Sequence, residues 1–405
     1  MNHESSVRSA YDDCFDAIVV GAGFAGLYAL YRLRESLGLN VRAYEAGGGV
    51  GGTWYWNRYP GARCDVPSYC YSYSFSEQLD QEWSWTEKCS TQPEIERYLN
   101  HVTDKFDLRR DIQFKTRVIS ARYDEVGQVW EIGTDDGRRV QARFFISAAG
   151  ILSAGNVPDY KGLNTFEGAT YFTGRWPNKK VDFSGRRVGV IGTGSTGIQV
   201  IPVVAQEAAH LTVFQRTPNY SIPSRNAPTD PQTEQAIKAN YPEIRRKERT
   251  SPFGVPDDPP TRSALEVSPE ERRRVYEKAW QAGGFRILVD GFKDFVTNRE
   301  ANRTVSEFLT EKIRERVRDP RIAEKLIPTH PFGTKRPALD TDYFETFNRD
   351  NVTLVDLKTT PITEITPRGI RTGDAEHALD SIIFATGFDG FTGSLFRMNI
   401  RGRGG

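Results

Sequence analysis

Gly21-Ala-Gly23-Phe24-Ala25-Gly26 follows the apolar run Phe15 to Val20, and Gly192-Thr193-Gly194-Ser195-Thr196-Gly197 follows the run Val188 to Ile191. Each fingerprint opens a helix-compatible stretch. In this pattern the first glycine permits a tight turn, the second lets backbone approach a pyrophosphate, and the third lets a helix pack on a strand. The phosphates then lie on a helix N-terminus, where unpaired N–H groups and the helix dipole favour negative charge. One such match is a weak signal. Two, both in strand-to-helix context, predict an α/β fold with two dinucleotide-binding, Rossmann-like domains.

The strand after each fingerprint separates the two cofactors. Val41-Arg-Ala-Tyr-Glu45 reads as a second strand ending in an acid, placed to accept hydrogen bonds from ribose hydroxyls. The equivalent strand of the second unit, Leu211-Thr-Val-Phe-Gln215, runs into Arg216 and Thr217 instead. An acid there would repel a 2′-phosphate, whereas a guanidinium and a hydroxyl bind one. The first site therefore suits FAD or NAD, and the second suits NADPH.

Composition agrees with a globular enzyme. The chain has 405 residues, enough for two or three domains, and a formal net charge of +1 with 26% charged residues. That balance gives no electrostatic case for nucleic acid or a membrane surface. Ala17 to Tyr31 lacks charge but contains Gly21, Gly23 and Gly26, follows Asp12, Asp13 and Asp16, and is too short to span a bilayer. Cys14, Cys64, Cys70 and Cys89 form no CxxC pair, so free thiols in a reducing, cytoplasmic setting are expected. The five histidines show no metal-ligand spacing, so no metal site is expected.

The expected organisation is a first part of the FAD-binding domain at 1–150, a linker at 151–174, a first part of the NADP-binding domain at 175–222, a helical insert at 223–327, a second NADP part at 328–377 and a second FAD part at 378–405. In the insert, Ser268-Pro-Glu-Glu271 reads as a capping box and Gly283-Gly284 as the end of that helix. A second helix carries Val305, Phe308, Leu309, Ile313 and Val317 at helical spacing and stops at Asp319-Pro320. Tyr69, Tyr71, Tyr73 and Phe75 alternate with period two, which predicts a half-buried strand. Ser381-Ile-Ile-Phe-Ala-Thr-Gly387 resembles Phe145-Ile-Ser-Ala-Ala-Gly150, so the first domain is expected to resume near residue 378 and to break off partway at Gly405.

Gly51-Gly-Thr53-Trp54-Tyr-Trp-Asn-Arg-Tyr-Pro-Gly-Ala-Arg-Cys-Asp65 resembles the GGxWxxxxYPGxxxD motif of the type I Baeyer–Villiger monooxygenases at every defined position. Phe166 to Pro177 is similar to that family's FxGxxxHxxxW(P/D) linker signature, with Phe172 where the motif has histidine. Thr334-Lys335-Arg336-Pro337, followed by Asn348-Arg-Asp-Asn351, resembles the segment that bears the family's active-site arginine. The resemblance covers nearly the whole chain, although family members are substantially longer.

This resemblance implies that NADPH passes hydride to FAD, that reduced flavin adds O2 to give a C4a-peroxyflavin, and that the peroxide attacks a ketone to give an ester or lactone. Arg336 is implied as the permanently charged partner of the peroxide, with Asp65 orienting it. Thr53, Trp54, Asp65 and Tyr71 are implied as cofactor-binding residues, and Lys335 as a further 2′-phosphate contact. Two alternatives stay open. One is an N- or S-oxygenating enzyme or NADPH oxidase, left open by Phe172. The other is a non-catalytic dinucleotide-binding paralogue, left open by the length.

Overall fold

The computed structural model describes residues 11–251, 254–373 and 375–405. The chain divides into two compact units. Met1–Asn57, Pro93–Asn156 and Phe388–Gly405 make the first, and Arg58–Gln92 and Val157–Gly387 make the second. The first ten residues of the expected FAD-binding domain lie outside the described residues. Among the described residues, no helix is long and apolar enough to cross a membrane.

The first unit is built on a seven-stranded sheet. Asp13–Val20 runs parallel to Val41–Tyr44 on one side and to Arg139–Ser147 on the other. Its inner half, Ala17 to Val20, is wholly buried. A strand covered on both faces reads as an unbroken apolar run rather than an alternation. The helix Phe24–Tyr31 follows at once. Val118–Asp124 and Val129–Thr134 extend the sheet in antiparallel fashion, and Ile400–Arg401 adds to its edge.

The second unit holds a five-stranded parallel sheet in the spatial order Val352–Asp356, His210–Gln215, Arg187–Ile191, Ser381–Phe384, Ala169–Phe172. The helix Ser195–Glu207 packs against it through Ile198, Val200, Ile201 and Val204. The insert is helical as expected, with Pro231–Thr250, Pro269–Ala282 and Arg299–Arg316 as its long members. Val305, Phe308, Leu309, Ile313 and Val317 are all buried, so the apolar stripe is a packing face. Gly283, at φ +71°, caps the second of these helices. Asp319-Pro320 both follows one helix and starts the next, Pro320–Leu326, with the Asp319 carboxylate accepting from Arg321 N.

Several expectations are corrected. Ser381–Phe384 belongs to the second sheet, paired with the strand before the second fingerprint, and the chain returns to the first unit only at Phe388. Its likeness to Phe145–Gly150 has a different cause. Each is the strand flanking a fingerprint strand in its own sheet, and each lies against the first glycine of that fingerprint. Residues 58–92, expected in the FAD-binding domain, and residues 157–174, expected as linker, both lie in the second unit.

Tyr69 to Phe75 is an irregular loop rather than a strand. The Tyr71 N–H turns back to the carbonyls of Pro67 and Ser68. The Tyr69 and Tyr73 carbonyls accept from the buried Arg245 guanidinium, which also binds Ser72 Oγ and Asp80. A side chain takes the acceptors that a neighbouring strand would have used. At Ser268 only half of the expected box forms. Its hydroxyl accepts from Glu271 N, while the Glu271 carboxylate pairs with Arg262 and Arg274. A complete box forms instead at Ser263 and Glu266.

Candidate functional site

In the first unit, Gly21 has φ +103°, and a Cβ there would sit 2.5 Å from the Ala148 carbonyl oxygen. A Cβ on Gly26 would come within 1.8 Å of Gly21 O, so glycine is what lets this helix start against its own turn. Over the middle glycine lies the Gly51-Gly52 backbone, whose Cα at Gly52 would be 3.4 Å from a Cβ on Gly23. Gly51 N donates to Ala22 O at 2.9 Å. Glu45 is buried just past its strand, and its carboxylate accepts from Ala22 N at 2.8 Å and Gly47 N at 2.6 Å. The acid is thereby pinned beside the fingerprint with lone pairs to spare, which fits a dinucleotide whose ribose carries free hydroxyls. Phe24 is half-buried and Ala25 exposed at the helix start, while Thr53 opens the short helix Thr53–Trp56 and Trp54 is buried.

The second unit repeats the cradle with a different rim. Gly192 has φ +109° and its Cβ would sit 2.4 Å from Ala385 O, while a Cβ on Gly197 would sit 2.2 Å from Gly192 O. Around Gly194 a Cβ would meet nothing within 4 Å, so backbone is open to an incoming pyrophosphate. Ser195 is exposed and Thr196 half-buried at this helix start. The buried Thr193 hydroxyl lies 3.4 Å from Gln215 Oε1 and 3.3 Å from Thr217 O. Gln215 points inward and donates to Lys325 O at 2.7 Å. The strand itself closes on this glutamine rather than on an acid. The exposed Arg216 follows it, then the half-buried Thr217, and Lys335 is also exposed.

Asp65 and Arg336, far apart in sequence, meet in the second unit. Arg336 Nη2 donates to Asp65 Oδ1 at 2.8 Å and Nε to Oδ2 at 3.2 Å, a two-pronged fork. The guanidinium stands over the Phe285 ring, 4.8 Å from its centroid. The Arg336 carbonyl accepts from Asn219 Nδ2 at 3.0 Å. Just beyond, Ala338–Asp340 pairs with Ser221–Pro223, and the buried Asp340 carboxylate is held by Arg316 and Ser221. The Arg336 side chain remains 61% exposed, so its outer face is available to a ligand. Tyr71 sits half-buried in the Arg245-bound loop that follows Asp65.

Burial pushes the Tyr59 phenol up to about 12 and the Cys89 thiol to about 11. Cys64 and Cys70 are driven higher still by the same cause. All four cysteines are free thiols, and a buried thiol held protonated is a poor nucleophile. His330 lies below the ordinary imidazole range through burial, with Lys335 and Lys358 acting in the same direction. Phe172, at the motif's histidine position, stacks on Phe384 with centroids 4.7 Å apart and planes 12° from parallel. Sequence reasoning overlooked Gln199 and Arg245. Neither belongs to a fingerprint, and only their partners in the fold mark them.

Two glycine cradles, the first beside a buried acid and the second on a strand followed by an arginine, together with a forked arginine–aspartate pair, describe a protein with two dinucleotide-type folds. Residues 19–100 match the family of NAD(P)-binding Rossmann-like domains. A Baeyer–Villiger monooxygenase of Pseudooceanicola batsensis is 48% identical over 407 residues, covering 100% of this chain and 74% of that protein. The phenazine N-monooxygenase PhzNO1 of Lysobacter antibioticus is 44% identical, over 96% of this chain and 72% of its own. A solved structure of oxidised steroid monooxygenase bound to NADP superposes with a TM-score of 0.93 at 56% identity, over 97% of this chain and 75% of that one. The chain belongs to the Baeyer–Villiger monooxygenase family, whose cofactors are FAD and NADP.

Proposed function

We propose that the chain inserts one atom of O2 next to a ketone carbonyl, giving an ester or lactone, at the expense of NADPH. The Asp65–Arg336 fork is the observation that carries this reading. Bound FAD supplies hydride acceptance from NADPH and the activation of O2. Glu45 takes the ribose hydroxyls of FAD, with Gly21, Gly23 and Gly26 under its pyrophosphate. Gly192 to Gly197 cradle the pyrophosphate of NADPH, and Arg216, Thr217 and Lys335 bind its 2′-phosphate. A guanidinium is a permanent cation in proteins, and through it Arg336 stabilises negative charge on oxygen. Asp65 fixes the plane of the guanidinium from one side and leaves the other for the reacting groups.

The test combines the protein with FAD, NADPH, isotopically labelled O2 and a panel of ketones. Labelled ester or lactone is expected. NADPH consumption that yields only hydrogen peroxide with every ketone would refute the proposal. A second reading, oxygenation of a ring nitrogen, is favoured by the likeness to the phenazine N-monooxygenase. An aromatic N-heterocycle in the same panel decides between them.

A further inference from the structure

The Tyr59–Asp65 turn is seated on the helix Ser195–Glu207, and one side chain of that helix touches the turn twice. The Tyr59 hydroxyl donates to Gln199 Oε1 at 2.8 Å, and Gln199 Nε2 donates to the Arg63 carbonyl at 3.1 Å. Between these contacts the turn presses onto the helix backbone. Gly61 has φ +83°, and a Cβ there would be 2.5 Å from Gln199 O and 3.0 Å from Val203 Cγ2. Tyr59 and Ala62 are buried in one core with Ile198, Val200 and Ile201. The turn is also tied on its other side, because Cys64 N donates to Ser90 O and Gln92 N to Ala62 O, both at 2.9 Å. Asp65 follows Arg63 by two residues, about 7 Å of chain.

We infer that Gln199 is a positioning residue, which fixes Asp65, and through it Arg336, to the helix that begins at the second glycine fingerprint. The helix N-terminus carries the pyrophosphate and its second turn carries Gln199. A dinucleotide bound at Gly192–Gly197 therefore stiffens the turn that presents Asp65. This rests on the proposed roles of that fingerprint and of the Asp65–Arg336 pair. The primary amide serves both contacts because its oxygen accepts from a phenol while its nitrogen donates to a carbonyl. Glutamate keeps the first contact and sets a carboxylate against the Arg63 oxygen. Leucine makes neither.

Hydrogen exchange of the full chain, with and without NADP+, tests the link. In the unaltered protein NADP+ slows exchange across 195–205 and across 59–65. In Gln199→Leu and Gln199→Glu the slowing across 195–205 persists, while that across 59–65 falls about tenfold for each hydrogen bond lost, and so furthest in Gln199→Leu, which loses both. Tyr59→Phe, which removes one oxygen atom, shows a smaller fall and carries the test if a Gln199 variant does not fold. A role confined to stability would lower the melting temperature and leave the NADP+-dependent difference intact. Slowing across 59–65 that survives in the variants overturns the inference. So does slowing in the unaltered chain that reaches 195–205 but not 59–65. No slowing at 195–205 in the unaltered chain removes the NADP cradle itself, and the link with it.

Discussion

Replacing Arg336 with alanine separates what the fork does for the fold from what it does for chemistry. The ion pair is solvent-facing, with Arg336 61% and Asp65 27% exposed, and such pairs contribute about 0.2–1 kcal/mol. The Phe285 contact adds about 0.5–1 kcal/mol at an exposed site. The Asn219 bond reaches the Arg336 carbonyl and survives the substitution. A loss of about 1–2 kcal/mol shifts the melting temperature of a unit this size by only about 2–8 °C. Removing a preorganised donor from developing negative charge lowers turnover by about 10²–10³-fold. Arg336→Ala should therefore stay folded and keep binding NADP+, while ester formation collapses and NADPH oxidation is diverted to hydrogen peroxide. Arg336→Lys keeps the charge but loses the fork, and should fall between. Gas chromatography of ester, NADPH consumption and a melting curve on the same preparation check this. Ester formation within about threefold of the unaltered enzyme would refute the role given to Arg336.

Arg216→Ala should weaken NADPH by one to two orders of magnitude, from the loss of charge-assisted bonds worth about 1.5–3 kcal/mol, and leave NADH nearly untouched. Equal losses for both coenzymes in a binding titration would remove Arg216 from the 2′-phosphate. Gly61→Ala places a Cβ 2.5 Å from backbone in a left-handed conformation. Strain of about 1–2 kcal/mol and overpacking of about 1–3 kcal/mol predict a loss of about 2–5 kcal/mol in urea unfolding. A loss below about 0.5 kcal/mol, within the usual scatter for surface changes, would contradict the turn geometry. His330 holds its proton less tightly folded than unfolded. Its contribution to stability is present above the unfolded value of about 6.5 and is lost as pH falls through the lower folded value. His330→Gln should thus shrink the drop in melting temperature between neutral pH and about pH 5, and an unchanged drop would assign it elsewhere.

The two cradles were legible because their physical demands are local. A tight turn, close backbone approach and helix packing each require glycine at a fixed offset, and Glu45 and Arg216 follow at the strand ends that the pattern implies. The meeting of Asp65 with Arg336 was legible only through motif resemblance, since no local rule joins residues so distant. The failures have one origin. Ser381–Phe384 and Phe145–Gly150 look alike because both strands flank a fingerprint strand, and that setting does not say in which sheet. The period-two aromatics at Tyr69 to Phe75 mimic a strand because alternation tracks half-burial. Only Arg245, supplied by the insert, reveals that a guanidinium rather than a neighbouring strand meets the loop's acceptors.

The path of the chain through its two units constrains how this enzyme can be dissected. Asp65 lies in the excursion Arg58–Gln92, whereas Arg336 lies in Val157–Gly387, with Pro93–Asn156 of the first unit between them. A fragment that begins at Val157 therefore keeps the arginine and loses its aspartate. Any contiguous piece that carries both must also carry that middle portion of the first unit. Shuffling whole nucleotide modules between relatives would accordingly need cuts near Asn57, Gln92, Asn156 and Gly387 rather than at a single junction. A chimera joined only at Asn156 would inherit its aspartate from one parent and its arginine from the other.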